Sequence, residues 1–246
     1  MTGLQLPFGA EIWDVIGVVW FFACWIGYTL IADHLGRGDG NVVTIQHRYR
    51  RRWMELMLRR DMRMPDIQIV VAVIRSASLF ASTTLFILAG LVAVLGALDK
   101  AREVASALTF TVNASQELWE VKVLLLILIF VYAFFKFAWS LRQNNIGLLV
   151  IGAAPIAGKD DGIGHKAYAE RCAQVMTRAV NTFNRGQRAY YFGLATLSWF
   201  VQPWCFVIAS VWVVLVLYRR EFRSVVLRVL AEGGVPGDDD GAGGKA

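Results

Sequence analysis

The segment LWEVKVLLLILIFVYAFFKFAWSLR, residues 118–142, sets the structural class of this chain. Its centre, residues 123–135, carries no charge, and residues 137–139 extend the apolar run past Lys136. Because a helix rises about 1.5 Å per residue, about 20 such residues cross the roughly 30 Å hydrocarbon core of a bilayer. The segment therefore predicts a membrane-spanning helix.

Three further apolar runs and the overall composition extend this prediction to the whole chain. Hydrophobic residues make up 57% of the sequence and charged residues 18%, whereas ordinary soluble domains have about 25% charged residues. We predict an all-α polytopic membrane protein, a single transmembrane domain over residues 1–231. Its four transmembrane helices would cover about residues 15–32, 76–98, 119–140 and 189–218. The composition of residues 232–246 is typical of a disordered tail.

Two arginine-rich segments predict cytoplasmic amphipathic helices in the headgroup plane. In the first, Ile45, Tyr49 and Trp53 recur at helical spacing, and the second covers residues 165–188. A polybasic surface of the first helix is expected to face anionic lipid, and it consists of His47, Arg48, Arg50, Arg51 and Arg52. The simpler alternative is that these arginines only hold the loop on the cytoplasmic side.

The positions of Lys and Arg predict the orientation, since these residues favour cytoplasmic loops. Residues 33–75 and 140–188 hold nine and seven of them, and the head before the first run holds none. Both loops should be cytoplasmic and the N-terminus outside. Four full crossings would then leave the basic C-terminus outside, against the rule. Alternatively, Pro203 divides the last run into two half-helices that enter the membrane and return.

Charged residues near the cytoplasmic ends of the predicted spans are candidate ligand contacts. The cationic candidates for an anion or lipid headgroup are Arg75, Lys136, Arg142, Arg185 and Arg188, with Asp33 as the candidate counter-ion. Either these side chains reach separately into the headgroup layer, or some converge on a phosphate, a headgroup or Asp33. Convergence predicts an anion site at the cytoplasmic face.

No catalytic, metal or nucleotide signature stands out in the sequence. The three histidines do not pair at helical spacing inside a span, and the three cysteines lack CxxC spacing. We therefore expect no catalytic residue, no metal ion, no cofactor and no nucleic-acid partner. The sequence favours a non-enzymatic protein, with lipid chemistry as the enzymatic alternative.

Several stretches resemble a known family. They are residues 75–76, 80–82, 131–137, 139–143, 152–155, 183–186, 188–192, 203–204 and 219–222. With them the chain resembles domain of unknown function 599, a family of multi-pass membrane proteins of bacteria and plants. The resemblance implies an integral protein of the bacterial inner membrane, and it implies no activity.

The expected function is binding of an anionic lipid or small anion at the cytoplasmic face, by a transporter-like or channel-like subunit. The alternative is a membrane scaffold or an assembly partner in a larger complex. A transporter predicts a water-reaching cavity at mid-depth lined by Lys136, whereas a scaffold predicts an exposed apolar face for a partner. Small residues four apart in the second span predict a homo-oligomer, namely Ala77 with Ala81 and Ser78 with Ser82.

Overall fold

Helices form the regular structure of the described part of the chain. The computed structural model describes residues 10–35, 42–106, 115–155, 164–223 and 229–230. Its helices are α1 (Ile12–Leu35), α2 (Val42–Leu58), α3 (Met64–Gly96), α4 (Leu98–Ser106), α5 (Gln116–Gly152), α6 (His165–Leu197) and α7 (Pro203–Phe222). A 3₁₀ turn, Ser198–Phe200, precedes α7. The all-α prediction is confirmed for these residues, and the predicted tail at residues 232–246 lies outside them.

Three helices are long and apolar enough to cross a membrane. These segments are Ile12–Asp33, Met64–Gly96 and Gln116–Gly152. Large apolar side chains along them, such as Val19, Phe86 and Leu128, are exposed. Water would disfavour such exposure, whereas the acyl chains of a bilayer match it. The chain is thus an integral membrane protein by the length and composition of these helices.

The third predicted span is the middle part of a longer helix, whereas the second, residues 76–98, covers the latter part of α3 and extends past its end to the first residue of α4. Helix α3 has 33 residues and continues through Arg75, and α5 has 37 residues. At about 1.5 Å per residue these helices measure about 50 and 55 Å, so both exceed the roughly 30 Å hydrocarbon core. Arg75 and Arg142 bound apolar runs in the sequence, but they lie inside α3 and α5 and do not end these helices.

The fourth apolar run differs from the expectation of one helix over residues 189–218. Helix α6 takes in both the predicted amphipathic segment and the first part of the run, and it ends at Leu197. The amides of Val201 and Gln202 bond the carbonyl oxygen of Ser198 in the following turn. Pro203 then begins α7, where a missing amide hydrogen costs no helical hydrogen bond. The helix bounds follow the alternative in which Pro203 divides the run.

The chain forms two compact units. Unit 1 consists of Met1–Ala32, Phe80–Lys136 and Asn184–Leu217, and unit 2 consists of Asp33–Leu79, Phe137–Phe183 and Tyr218–Ala246. Helices α1, α3, α5, α6 and α7 contribute residues to both units.

In unit 1, α6 runs antiparallel to α1. Trp199, in the turn just after α6, donates a hydrogen bond from Nε1 to Asp14 Oδ1 at the start of α1. The guanidinium carbon of Arg188, three turns earlier in α6, lies 5.4 Å from the ring centroid of Tyr28, near the end of α1. Because residue numbers fall along α6 as they rise along α1, the two helices have opposite directions.

Helix α7 runs in the same direction as α1. A Cβ at Gly17 would lie 3.2 Å from the ring of Phe206 and 3.9 Å from the carbonyl oxygen of Pro203. The ring of Phe206 stacks on that of Phe21 at 5.0 Å. Since α7 advances beside α1 from its first turn, α6 and α7 form an antiparallel helical hairpin closed by the turn at Ser198–Phe200.

Unit 2 has a core of its own, built from α2, α3, α5 and α6. Its buried members are Met54, Met57, Leu58, Val70, Ile151, Ala154, Ala169, Cys172, Ala173 and Met176. Methionine fills irregular gaps because its side chain is unbranched and flexible. The small residues in α6 allow α5 to approach closely, and Gly147 faces the sulfur of Met176.

Candidate functional site

The positive charge of the described residues lies in unit 2. Unit 2 has fifteen Lys or Arg residues against six Asp or Glu residues there, and unit 1 has six of each. Nine excess cationic groups in one unit are expensive to hold together unless anions or water surround them. The distribution marks unit 2 as the part of the protein that would attract an anionic ligand.

Part of the predicted polybasic surface contacts α6. His47 Nδ1 lies 3.0 Å from Thr177 Oγ1, and its Nε2 lies 3.3 Å from a carboxylate oxygen of Glu170. Arg50 donates to Thr177 Oγ1 at 3.2 Å and to Gln46 Oε1 at 3.1 Å. Burial lowers the pKa of Arg50 to about 10, so the side chain is cationic at neutral pH. His47 and Arg50 therefore hold α2 against α6, which the sequence did not indicate.

Of the remaining residues of the polybasic surface, Arg48 and Arg51 are exposed and Arg52 is half-buried. Arg51 lies 3.4 Å from Glu55 and 3.5 Å from Glu170, and it is more than half exposed. Arg52 lies 3.3 Å from Glu55, and Arg48 is exposed. Exposed ion pairs of this kind contribute about 0–1 kcal/mol each. Arg51 can therefore exchange a carboxylate for a phosphate at little cost.

A buried carboxylate in unit 2 was missed by sequence reasoning. Asp66, in the first turn of α3, is fully buried and accepts hydrogen bonds of 2.6 Å from Trp53 Nε1 and from Arg60 Nη1. The start of a helix favours negative charge because its amide groups point outward there. Arg63 donates to the carbonyl oxygen of Ala154 just after α5. These polar groups tie α2 and α5 to the start of α3.

The six residues of the predicted anion site divide between the units. Asp33, Arg75 and Arg142 belong to unit 2, and Lys136, Arg185 and Arg188 belong to unit 1. Arg75 and Arg142 are exposed, and the Arg142 guanidinium carbon lies 5.8 Å from the ring centroid of Trp139. Convergence of the six on one anion stays a prediction.

Two of the candidates in unit 1 lie over aromatic rings. Lys136 is half-buried, and its Nζ lies 5.0 Å from the ring centroid of Tyr132. Arg188 is buried beside Tyr28. A cation over an aromatic face is stabilised by the ring quadrupole, more so where water is excluded.

An apolar groove lies in unit 1 between α1 and α5. Its volume is about 390 Å³ and its lining residues are Phe22, Trp25, Ile26, Thr29, Leu30, Leu125, Leu128, Ile129 and Tyr132. The hydroxyl of Thr29 donates to the carbonyl oxygen of Trp25 within α1. The groove thus has the size of a small-molecule site, about 300–1,000 Å³, with few polar groups.

A buried polar network in unit 1 was also missed. Trp199 donates from Nε1 to Asp14 Oδ1 at 2.7 Å, and Lys122 donates from Nζ to the carbonyl oxygen of Trp199 at 2.9 Å. All three residues are buried, and the amide of Glu11 donates to the other oxygen of Asp14. A signal was present in the sequence, because Asp14 and Lys122 are charged residues beside apolar runs.

The similarity of the chain to known proteins is at the level of a family. The family described as "Protein of unknown function, DUF599" matches residues 16–226. The chain belongs to this family. No curated protein and no solved structure matches the chain significantly. The resemblance seen in the sequence is confirmed, and the region shared with the DUF599 family includes α2 to α7 entirely.

The chemical groups in the described part of this DUF599 protein include guanidinium groups in unit 2 and apolar side chains along the groove of unit 1. Within the described ranges, no three His, Cys, Asp or Glu residues lie together as metal ligands. Burial raises the pKa of the Cys172 thiol to about 11, so this cysteine is a neutral thiol at physiological pH. The arrangement offers exposed guanidinium groups in unit 2 and an apolar groove in unit 1, which suit a charged headgroup and an acyl chain respectively.

Proposed function

We propose that this protein is an inner-membrane protein that binds anionic lipid headgroups through unit 2 at the cytoplasmic face. The observation that carries the proposal is the excess of nine cationic residues in the described part of unit 2. The cytoplasmic leaflet has a negative surface potential, and each nearby Lys or Arg gains about 1 kcal/mol from it.

Exposed arginines would form the binding surface. Those of unit 2 are Arg48, Arg51, Arg59, Arg60, Arg75, Arg142, Arg171, Arg178, Arg219, Arg220 and Arg223. Guanidinium groups pair with phosphate through two parallel hydrogen bonds, so an exposed arginine suits a phospholipid headgroup. In this proposal His47 and Arg50 hold α2 against α6, and the exposed arginines contact the lipid headgroups.

The proposal includes a topology. Helices α1, α3 and α5 cross fully with the N-terminus outside, and the α6–α7 hairpin returns at a turn that lies beside Asp14 and Lys122, near the outer ends of α1 and α5. The basic residues 219–223 are then cytoplasmic, in agreement with the positive-inside rule.

A lipid ligand fits the described unit 1 better than an aqueous pathway does. The groove between α1 and α5 is apolar apart from Thr29 and Tyr132, whereas a transporter would need polar groups around a water-filled cavity. Exposed apolar side chains on the candidate spans suit lipid, and they would also suit the partner of a scaffold. Lipid binding is accordingly preferred to transport and channel activity.

Lipid retention by the purified protein tests the proposal. The protein in mild detergent is given equal amounts of phosphatidylglycerol and phosphatidylcholine with the same chains, and the lipids retained are measured by native mass spectrometry. We expect phosphatidylglycerol to be preferred. The triple change Arg59→Gln, Arg178→Gln and Arg219→Gln should reduce that preference about a hundredfold, from about 1 kcal/mol for each of the three charges.

A charge-conserving control completes the test. The corresponding triple change to Lys keeps three cations at the same positions and should keep most of the preference. No preference in the unmodified protein, or an undiminished preference in the Gln variant, would contradict lipid binding through unit 2.

A further inference from the structure

The groove between α1 and α5 has a defined direction. Both helices run antiparallel to α6: Asp14 and Lys122 lie at the end of α6 near Trp199, and Phe130 lies against Gly193 one to two turns earlier in α6. Helices α1 and α5 are therefore parallel. The groove follows them for about two turns, from its Phe22 end to the end where Leu30 and Tyr132 lie.

The surroundings of the groove favour an acyl chain as its occupant. Helices α1 and α5 both contain candidate membrane spans, so the groove opens onto hydrocarbon. Ile26, Leu30 and Leu128, all of which line it, are more than half exposed. An apolar surface of this kind gains packing contacts when a flexible hydrocarbon chain fills it, without burying any polar group.

A cation lies at the Tyr132 end. Lys136 is one helical turn beyond Tyr132 on α5, and its amine lies over the Tyr132 ring. No carboxylate in the described part of the chain forms an ion pair with Lys136. A half-buried ammonium group without an ionic partner inside a span is stabilised by an anion beside it. Phospholipids carry their phosphate at the end of the acyl chains, which matches this order of groups.

We propose that the groove between α1 and α5 holds an acyl chain of an anionic phospholipid whose phosphate contacts the amine of Lys136. The inference rests on the proposed function in requiring a membrane lipid as ligand, and it adds a site in unit 1 that is separate from the exposed arginines of unit 2. It gives Lys136 a role as a headgroup contact.

The test uses the same retained-lipid measurement with variants of the groove. Leu128→Trp fills the groove at an exposed position and should reduce retention of both phosphatidylglycerol and phosphatidylcholine at least fivefold. Lys136→Gln removes the cation and should reduce the preference for phosphatidylglycerol about fivefold, the value of one charge near a lipid phosphate. Lys136→Arg should keep the preference. Inorganic phosphate should not compete, because it lacks the acyl chain.

Matched controls separate the groove from general effects. Leu215→Trp adds the same ring at an exposed position of α7, and Lys100→Gln removes a cation from the exposed surface of α4. Both should leave retention unchanged. Ile26→Trp is a second variant that fills the same groove, for use if Leu128→Trp lowers the yield of folded protein.

The outcomes distinguish this inference from the proposed function. Unchanged retention in both filled-groove variants, or an unchanged preference in Lys136→Gln, would overturn the inference. Loss of preference in the unit 2 Gln variant alone would support the proposed function without the groove. Loss in the groove variants alone would support the groove and contradict binding by unit 2. A disulfide between two copies carrying Leu128→Cys would show that a second copy fills the groove and would overturn the inference.

Discussion

Trp199 donates a 2.7 Å hydrogen bond from Nε1 to Oδ1 of Asp14, although 185 residues separate them in sequence. The contact fastens the turn between α6 and α7 to the start of α1. Lys122 attaches α5 to the same turn through the carbonyl oxygen of Trp199. A break in the longest apolar run of the sequence is thus stabilised by polar groups from two other helices.

Removing the donor of this bond should destabilise unit 1. Trp199→Phe keeps an aromatic ring to stack on Phe206, which lies 5.2 Å away, but leaves the Asp14 carboxylate with one donor fewer. Hydrogen bonds to charged groups contribute about 1.5–3 kcal/mol, and we expect a loss of that size in detergent-based unfolding. Trp212→Phe, at an exposed position, is the control. Equal stability of the two variants would contradict the structural role of the bond.

Lys122 and Asp14 should behave as an energetically coupled pair. Lys122→Met removes a buried cation and its bond to Trp199, and we expect a larger loss of stability than for Lys136→Met at its half-buried position. The loss from Lys122→Met combined with Asp14→Asn should be smaller than the sum of the single losses by about 0.5–3 kcal/mol, as found for interacting residues. Additive losses in a double-mutant cycle would show that the two residues act independently.

Asp66 should be the most sensitive carboxylate of unit 2. Asp66→Asn removes the negative charge that accepts hydrogen bonds from Trp53 and Arg60 at the start of α3. We expect the free energy of unfolding to fall by about 1–3 kcal/mol. The exposed Asp61 five residues earlier provides the control Asp61→Asn, for which we expect a change within about 0.5 kcal/mol. Chemical denaturation in detergent would measure both, and a loss confined to the control would refute the assignment.

Gly193 should resist enlargement where α6 meets α5. A Cβ at Gly193 would lie 3.1 Å from the ring of Phe130, whereas a Cβ at Gly90 would meet no atom within 4 Å. Helical Gly→Ala changes otherwise stabilise by about 0.5–1 kcal/mol. We expect Gly90→Ala to be neutral or stabilising and Gly193→Ala to be less stable than it by about 1–3 kcal/mol. Thermal unfolding of the two variants checks this, and the opposite order would contradict close packing at Gly193.

The class of fold could be predicted from the sequence because long apolar runs have few alternatives to the membrane-spanning helix. The runs at residues 15–32 and 119–140 each lie within one helix of the structure, and the run at residues 76–98 lies in α3 up to Gly96 and ends at the start of α4. The ends of these helices could not be predicted, since Arg75 and Arg142 interrupt the apolar pattern without interrupting helical hydrogen bonding. The division of the fourth run followed from Pro203, but hydropathy alone favoured one helix.

The polar contacts within each unit were harder to predict from the sequence. Sequence position identified Lys136 and the arginines by their charge, but the pairing of His47 with Glu170 and of Asp14 with Trp199 depends on tertiary packing. Residues such as Asp66 lie in polar surroundings in sequence and only the fold buries them. The family does not help to assign these contacts, because its description gives no function.

Labelling of single cysteines from either side of the membrane tests the central claim, that the cationic unit 2 faces the cytoplasm as a whole. In a chain with its three native cysteines replaced by alanine, Asp61→Cys, Gln174→Cys and Arg223→Cys test unit 2, and Lys100→Cys tests unit 1; all four positions are exposed. We predict that a membrane-impermeant maleimide labels only Lys100→Cys in intact cells and reaches the other three after the membrane is opened. Labelling of Arg223→Cys in intact cells would contradict the account.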